Sequence, residues 1–237
     1  MRYVTWSCGL VATNDLNFHV NEDESLGVID PNGDGKTTVV SSIMGQLRQT
    51  SGDIFYKDQN INTLATEQRI ALGLSRTYQV PQPYHDLSVR RNTRVGLMPN
   101  SLWHMIVGCS DVTRETELGE MVGFSVVDME RPASELTMGD LRKLEFARRL
   151  ATGAKVLLLD EVFAGLTSGE FATISALIQD LRQSGFTFLM VSHDLPAMEP
   201  LVDRAIAIER GTLLAEGDFK SVLADDSVRA SYLGGDV

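Results

Sequence analysis

Three groups of residues carry side chains at spacings that can do chemistry. In "DPNGDGKTT", residues 30–38, Asn32, Gly33 and Gly35 let the backbone curl until its N–H groups face one anion. Lys36 adds a point charge there, and the hydroxyl of Thr37 can reach a magnesium ion. "VLLLDE" closes an apolar run with Asp160, placed to hold the water shell of such an ion, and Glu161, able to polarise an attacking water. A second apolar run, "FTFLMVSH", ends in His193. Each group has a plain structural counterpart: an Asn-Gly turn before a helix, an acidic pair facing solvent, a surface histidine. Their order along the chain favours one working site.

The loop departs from its own pattern. A glycine belongs five positions before Gly35, and Asp30 stands there, with a second carboxylate, Asp34, inside the loop. Aspartate is among the few side chains that tolerate left-handed backbone angles, so charge is the larger concern.

The elements that must position these groups alternate in type. "LNFHV" (16–20) and "SLGVI" (25–29) predict strands joined by the acidic turn "NEDE", and "GDIFY" predicts another. Lys36 to about Leu47 predicts a helix opened by the loop. Residues 80 to about 135 hold prolines at 81, 83 and 99 and weak helical periodicity, which predicts an inserted, mostly helical subdomain. It runs on to about residue 150 through "LTMGDLRKLEFARRLA", with Leu141, Leu144, Ala147 and Leu150 on one helix face and Gly139 at its mouth. "KVLLLDE" reads as a strand buried on both faces of a parallel sheet. Residues 170–184 show helical spacing in Ile174, Leu177, Ile178 and Leu181, and "AIAIERGTLLAEG" predicts a hairpin around Arg210-Gly211. Strand–helix alternation with polar residues at strand C-termini predicts an α/β fold with its site along those edges.

Composition narrows the partners. Of 237 residues, 43% are hydrophobic and 22% charged, ordinary values for a folded chain. A net charge of −11 repels phosphate backbones over most of the surface, so nucleic acid is not expected as a partner, although a local cradle of N–H groups can still hold one nucleotide. Cys8 and Cys109 lack metal or redox spacing and read as small buried hydrophobes. No signal peptide and no apolar run near the ~20 residues of a membrane span are expected, so membrane work would need a partner. His19, His85 and His104 have no partners at ligand spacing.

With these motifs in order, the sequence resembles the ATP-binding subunits of ABC transporters over nearly its whole length. "DPNGDGKTT" is similar to their phosphate loop, Gln79 in "SRTYQVPQP" to their glutamine loop, and "LTMGD" to their signature motif. "LLLDE", "AGLT" and "VSHD" are similar to the metal-and-catalysis strand, the loop after it and the switch histidine. "RTYQVPQPYHDLSV", "LLLDEVFAGL" and "SYLGG" are similar to the branched-chain amino acid or amide importers. The resemblance implies one ABC ATPase domain over residues 1–237. Its P-loop NTPase core would be a mostly parallel, RecA-like sheet flanked by helices, with an N-terminal antiparallel β portion and the helical subdomain inserted at about 80–150. It implies ATP and Mg²⁺, with Asn32, Gly33, Gly35, Lys36, Thr37 and Thr38 around the phosphates and Trp6 as a candidate adenine stack. Asp160, Thr37 and Gln79 would serve the metal. Glu161 would orient water and His193 would contact the γ-phosphate. Two subunits, identical or different, would close head to tail, with Thr137 and Gly139 of one against the nucleotide of the other. A membrane permease would dock near residues 80–105, placing the chain in the cytoplasm at the inner face of the membrane.

The departures keep rivals open. Besides Asp30 and Asp34, Met138 replaces a signature glycine, Asp140 replaces glutamine, and Thr167 stands where Asp or Asn is usual. Asp140 suits a helix start but would compete there with a phosphate. The front of the chain is about ten residues shorter than the family's. An impaired module that binds ATP but hydrolyses it slowly is one alternative. A soluble ABC ATPase unconnected with transport is another.

Overall fold

The structure, a computed structural model, describes residues 2–10, 13–30, 35–98, 111–209 and 211–233, with the backbone alone for residues 2–10, 13–15 and 233. Strands β1 (Arg2–Leu10) and β2 (Thr13–Asn21) pair antiparallel, and β3 (Ser25–Ile29) follows the acidic turn. That turn does not close a hairpin, because β2 and β3 belong to different sheets. Helix α1 (Lys36–Ile43) starts directly after the phosphate loop. It stops short of the expected Leu47 because Gly45 turns the chain at φ 73°. The Arg69 guanidinium then caps the Ser42 and Ile43 carbonyls at 2.7 and 2.8 Å.

Strands β4 (Gly52–Tyr56) and β5 (Gln59–Asn60) complete the antiparallel sheet, in the order β2-β1-β4-β5. Helix α2 (Thr66–Ala71) leads to β6 (Leu74–Arg76). Helices α3 (Val89–Leu97), α4 (Val112–Met121) and α5 (Met138–Ala151) then pack on one another before β7 (Val156–Asp160) returns to the main sheet. Helix α6 (Ser168–Gln183), strand β8 (Thr187–Val191), a short α7 (Leu195–Met198) and the hairpin of β9 (Arg204–Glu209) with β10 (Thr212–Gly217) follow. Helices α8 (Phe219–Ala224) and α9 (Asp226–Leu233) close the described chain.

The main sheet runs β10-β9-β3-β8-β7-β6, with β9, β3, β8, β7 and β6 parallel and β10 antiparallel at the edge. Its central strands β3, β8 and β7 are buried at every position because both faces are covered. Val156 and Leu158 face α1 and the antiparallel sheet, in one core with Phe18, Val28, Ile43 and Ile54. Leu157 and Leu159, pointing the other way by strand alternation, join Phe146, Leu150, Ile174 and Ile178 of α5 and α6. The two-sided packing of β7 fixes where its carboxylate end emerges. No helix among the described residues is long and apolar enough to cross a membrane.

Candidate active site

Three elements end at one edge of the parallel sheet and bring their polar residues together. Lys36, the first residue of α1, is buried and folds back so that Nζ donates to the Asp30 carbonyl at 2.7 Å. It also lies 3.3 Å from His193 Nδ1. An ammonium has only protons to give, so Nδ1 is the acceptor and the ring proton sits on Nε2. Burial holds the Lys36 ammonium below the usual lysine range, while Asp30, Glu161 and Asp160 pull the other way.

Asp30 is no bystander. Its side chain is buried, and Oδ2 accepts the Gly35 N–H at 2.8 Å. One of the N–H groups that a phosphate would use therefore already faces a carboxylate of the same chain. Asn32 and Gly33, expected in the same cradle, lie outside the described residues, as does Asp34. Thr37 is exposed on the first turn of α1, and Thr38 is half-buried, its carbonyl taken by the Ser42 hydroxyl.

Asp160 ends β7 as expected, and it has a partner that sequence reading missed. Arg76, at the end of β6, donates to Asp160 Oδ2 at 2.6 Å, and its other nitrogen reaches Ser41 on α1 and Gln46. This buried pair ties the phosphate-loop helix to the strand end. Glu161 follows in the left-handed region at φ 48°. That conformation opposes a non-glycine residue by about 1–3 kcal/mol and persists only where neighbours enforce it. Here the Glu161 N–H donates to the Val191 carbonyl at 2.9 Å, and Arg142 donates to the Glu161 carbonyl at 3.3 Å. The twist turns the carboxylate towards His193: Oε2 is 3.4 Å from the Ser192 hydroxyl and the His193 N–H. Oε1 is buried without a hydrogen bond, 3.5 Å from His193 Nε2.

Thr137 and Gly139 sit in a neighbouring corner, at the start of α5. Thr137 caps the helix by accepting the Asp140 N–H at 3.2 Å. Asp140 stands in the first turn of α5, where its charge suits the helix start as expected. Lys143 holds its carboxylate at 3.0 Å, with Arg131 at 3.8 Å. The carboxylate on the Gly139 N–H is instead that of Glu170, at 2.9 Å. Glu170 also closes the cap of α6 with Thr167, and these N–H groups together with the Thr137 and Thr167 hydroxyls draw it down to about 2. The pattern Thr-x-x-Glu was the signal for this cap. It also accounts for Thr167: threonine caps a helix as Asp or Asn does.

Gln79 is exposed beyond β6, its carbonyl held by Arg142 at 2.5 Å. The backbone of Trp6 lies on β1 opposite Phe18 and Ile54; its side chain, with that of Cys8, is outside the described residues, as are Trp103, His104 and Cys109. The donor set suits magnesium. The Thr37 hydroxyl, the Asp160 carboxylate and the Gln79 amide are hard oxygen donors, and no group of three or more His, Cys, Asp or Glu occurs among the described residues.

Comparison with known proteins identifies the family and the fold. Residues 13–164 match the ABC transporter family. The chain is 31% identical to the high-affinity branched-chain amino acid transport ATP-binding protein LivG of Escherichia coli (strain K12), over 95% of this chain and 93% of that protein. It is 28% identical to the probable LivG of Methanocaldococcus jannaschii, over 94% and 91%. Its backbone matches the crystal structure of the ADP conformation of an ATP-binding cassette with a TM-score of 0.85 at 26% identity, covering 99% of each chain. The phosphate loop, the carboxylate-ended strand β7 and His193 thus stand in a fold already known to hold nucleotide, and the chain belongs to the ABC transporter family, as an ATP-binding subunit built on its ATPase domain.

Proposed function

We propose that this subunit binds Mg-ATP, hydrolyses it with Glu161 as general base, and thereby powers a membrane importer for branched-chain amino acids or related amides. The observation that carries hydrolysis is Glu161 Oε1, a buried carboxylate oxygen without a hydrogen bond, facing the ring of His193 whose other nitrogen meets Lys36. A water held there gives its proton to Oε1 as its oxygen attacks the γ-phosphorus, while the bond to the β–γ bridging oxygen breaks and its electron pair leaves with ADP. Lys36 swings from the Asp30 carbonyl to the phosphates, which frees His193 Nδ1. His193 Nε2–H then faces the transferred group. Thr37 and Asp160 would hold Mg²⁺, with Gln79 beside them, and the ion would supply charge neutralisation on the phosphate oxygens. The Gly139 corner serves the nucleotide of a second subunit, in a head-to-tail pair.

The solute class rests on the relatives named LivG. The permease would meet the segment after Gln79, where Val80 and Tyr84 are 61% and 50% exposed. In this reading the chain works at the inner face of the cell membrane. Cross-linking from Tyr84 should give a specific permease adduct; self-adducts alone would count against coupling to transport.

A second reading has its own support. Carboxylates of the chain already occupy the Gly35 and Gly139 N–H groups, and Arg76 already neutralises Asp160. Such a subunit could bind ATP weakly and turn it over slowly. Nucleotide binding and turnover by the purified chain, with and without permease, separate the two. Turnover stimulated by permease supports the first, and binding without turnover in either state supports the second.

A further inference from the structure

One buried cation bridges the segment after β6 and the end of β7, and its role has so far been described only contact by contact. Arg142, on the second turn of α5, has no exposed surface. One nitrogen, Nη1, donates to the Tyr78 carbonyl at 2.5 Å and to Glu145 at 3.1 Å. The other, Nη2, donates to the Gln79 carbonyl at 2.5 Å and the Glu161 carbonyl at 3.3 Å. Glu145, 3% exposed one turn along the same helix, accepts the Tyr78 N–H at 2.8 Å. Both backbone groups of Tyr78 are therefore gripped by one ion pair, and that pair also holds the next carbonyl and the carbonyl of Glu161.

We propose that Arg142, braced by Glu145, is a positioning residue that holds Gln79 and Glu161 in fixed relation to the start of α5. The proposal rests on the assignment of Gln79 and Glu161 above. Glu161 keeps its left-handed backbone through its N–H on Val191 and through a carbonyl shared by the Ala164 N–H at 3.1 Å and Arg142 at 3.3 Å, of which Arg142 is the side-chain contact. A planar guanidinium with five donors can hold several carbonyls at once, whereas an ammonium is a compact point charge. Gly139 lies three residues before Arg142, less than one helical turn, so a shift of the helix start moves the guanidinium and both loop carbonyls together. A buried pair is weak as a source of stability but fixes geometry, and here the geometry belongs to the attacking-water side of the site.

The test compares Arg142→Lys with the parent in steady-state ATP hydrolysis, Mg-ATP calorimetry and thermal melting. Because the Lys36 cradle does not touch Arg142, Kd for Mg-ATP should stay within about twofold. The kcat should fall about 10- to 100-fold, with KM little changed. Combined with Glu161→Gln, the lysine variant should lower the residual rate no further, because its effect runs through Glu161. If Arg142→Lys does not fold, the double variant Arg142→Met/Glu145→Leu removes both buried charges and should fold, bind ATP and show the same kcat loss. Turnover within twofold of the parent in a folded variant would overturn the proposal. So would affinity falling in step with kcat, the mark of a purely structural strut. The parallel Glu161→Gln arm keeps the two readings apart. If that variant hydrolyses at the parent rate, the site assignment fails; if it is inactive while Arg142→Lys is not, only the strut fails.

Discussion

At the scale of single residues, Asp30 decides how well the cradle works. A carboxylate ~6 Å from one phosphate charge, at an effective dielectric of ~20, opposes binding by on the order of 3 kcal/mol before solvent and counter-ions reduce it. After that reduction a penalty of roughly 1–2 kcal/mol remains, about 5- to 30-fold in affinity. The contact between Asp30 Oδ2 and the Gly35 N–H adds a direct reason, because a phosphate must displace it. Asp30→Gly is therefore expected to tighten Mg-ATP binding by about that factor, with a larger gain at low salt than at high salt. Calorimetry at two salt concentrations checks it, and unchanged affinity would mean that Asp30 is spent on folding the loop. The departure at Asp30 was visible in the sequence. The direction of its side chain was not, because that depends on where Gly35 falls after the loop has curled.

At the scale of elements, two close approaches carry expectations. A Cβ on Gly96 of α3 would sit 2.4 Å from the Arg148 carbonyl of α5, a backbone atom that cannot step aside. Gly96→Ala should separate the two helices and destabilise the protein by about 1–3 kcal/mol, read as a lower urea midpoint with unchanged slope. Glu170 joins the starts of α5 and α6, with its carboxyl drawn from 4.5 to about 2. A lowered folded value means that the stabilisation is fully present above 4.5 and disappears as pH falls towards about 2. The difference in urea midpoint between parent and Glu170→Gln should thus shrink over that window. A difference independent of pH would show that the charge of Glu170 plays no part. Elements with one strong period were legible in advance. The apolar run of β7, the Ile174–Leu181 face of α6 and the β9–β10 hairpin all stand where their patterns put them. What stayed hidden was tertiary. Arg69 capping the end of α1, Arg76 on Asp160 and Arg142 across three carbonyls are long side chains bonding residues distant in sequence. A charged residue on a helix looks the same in sequence whether it is solvated or buried. Membership of the strand after "NEDE" in a different sheet was hidden for the same reason.

At the scale of the whole molecule, the parallel sheet delivers Lys36, Asp160, Glu161 and His193 to one edge, and the helices between β6 and β7 bring Gly139 to a corner of its own. A site split in this way suits two subunits that complete each other around nucleotide. The central claim is that this chain hydrolyses ATP by a water activated at Glu161. Glu161→Gln keeps size and polarity but removes the base, so it isolates that step. Turnover and Mg-ATP affinity of this variant, measured beside size-exclusion chromatography with Mg-ATP, give the most direct test. Affinity should stay near the parent value, turnover should drop about 10²- to 10⁴-fold, and a closed dimer should accumulate. Hydrolysis by Glu161→Gln at the parent rate would contradict the claim and remove Glu161 from the reaction.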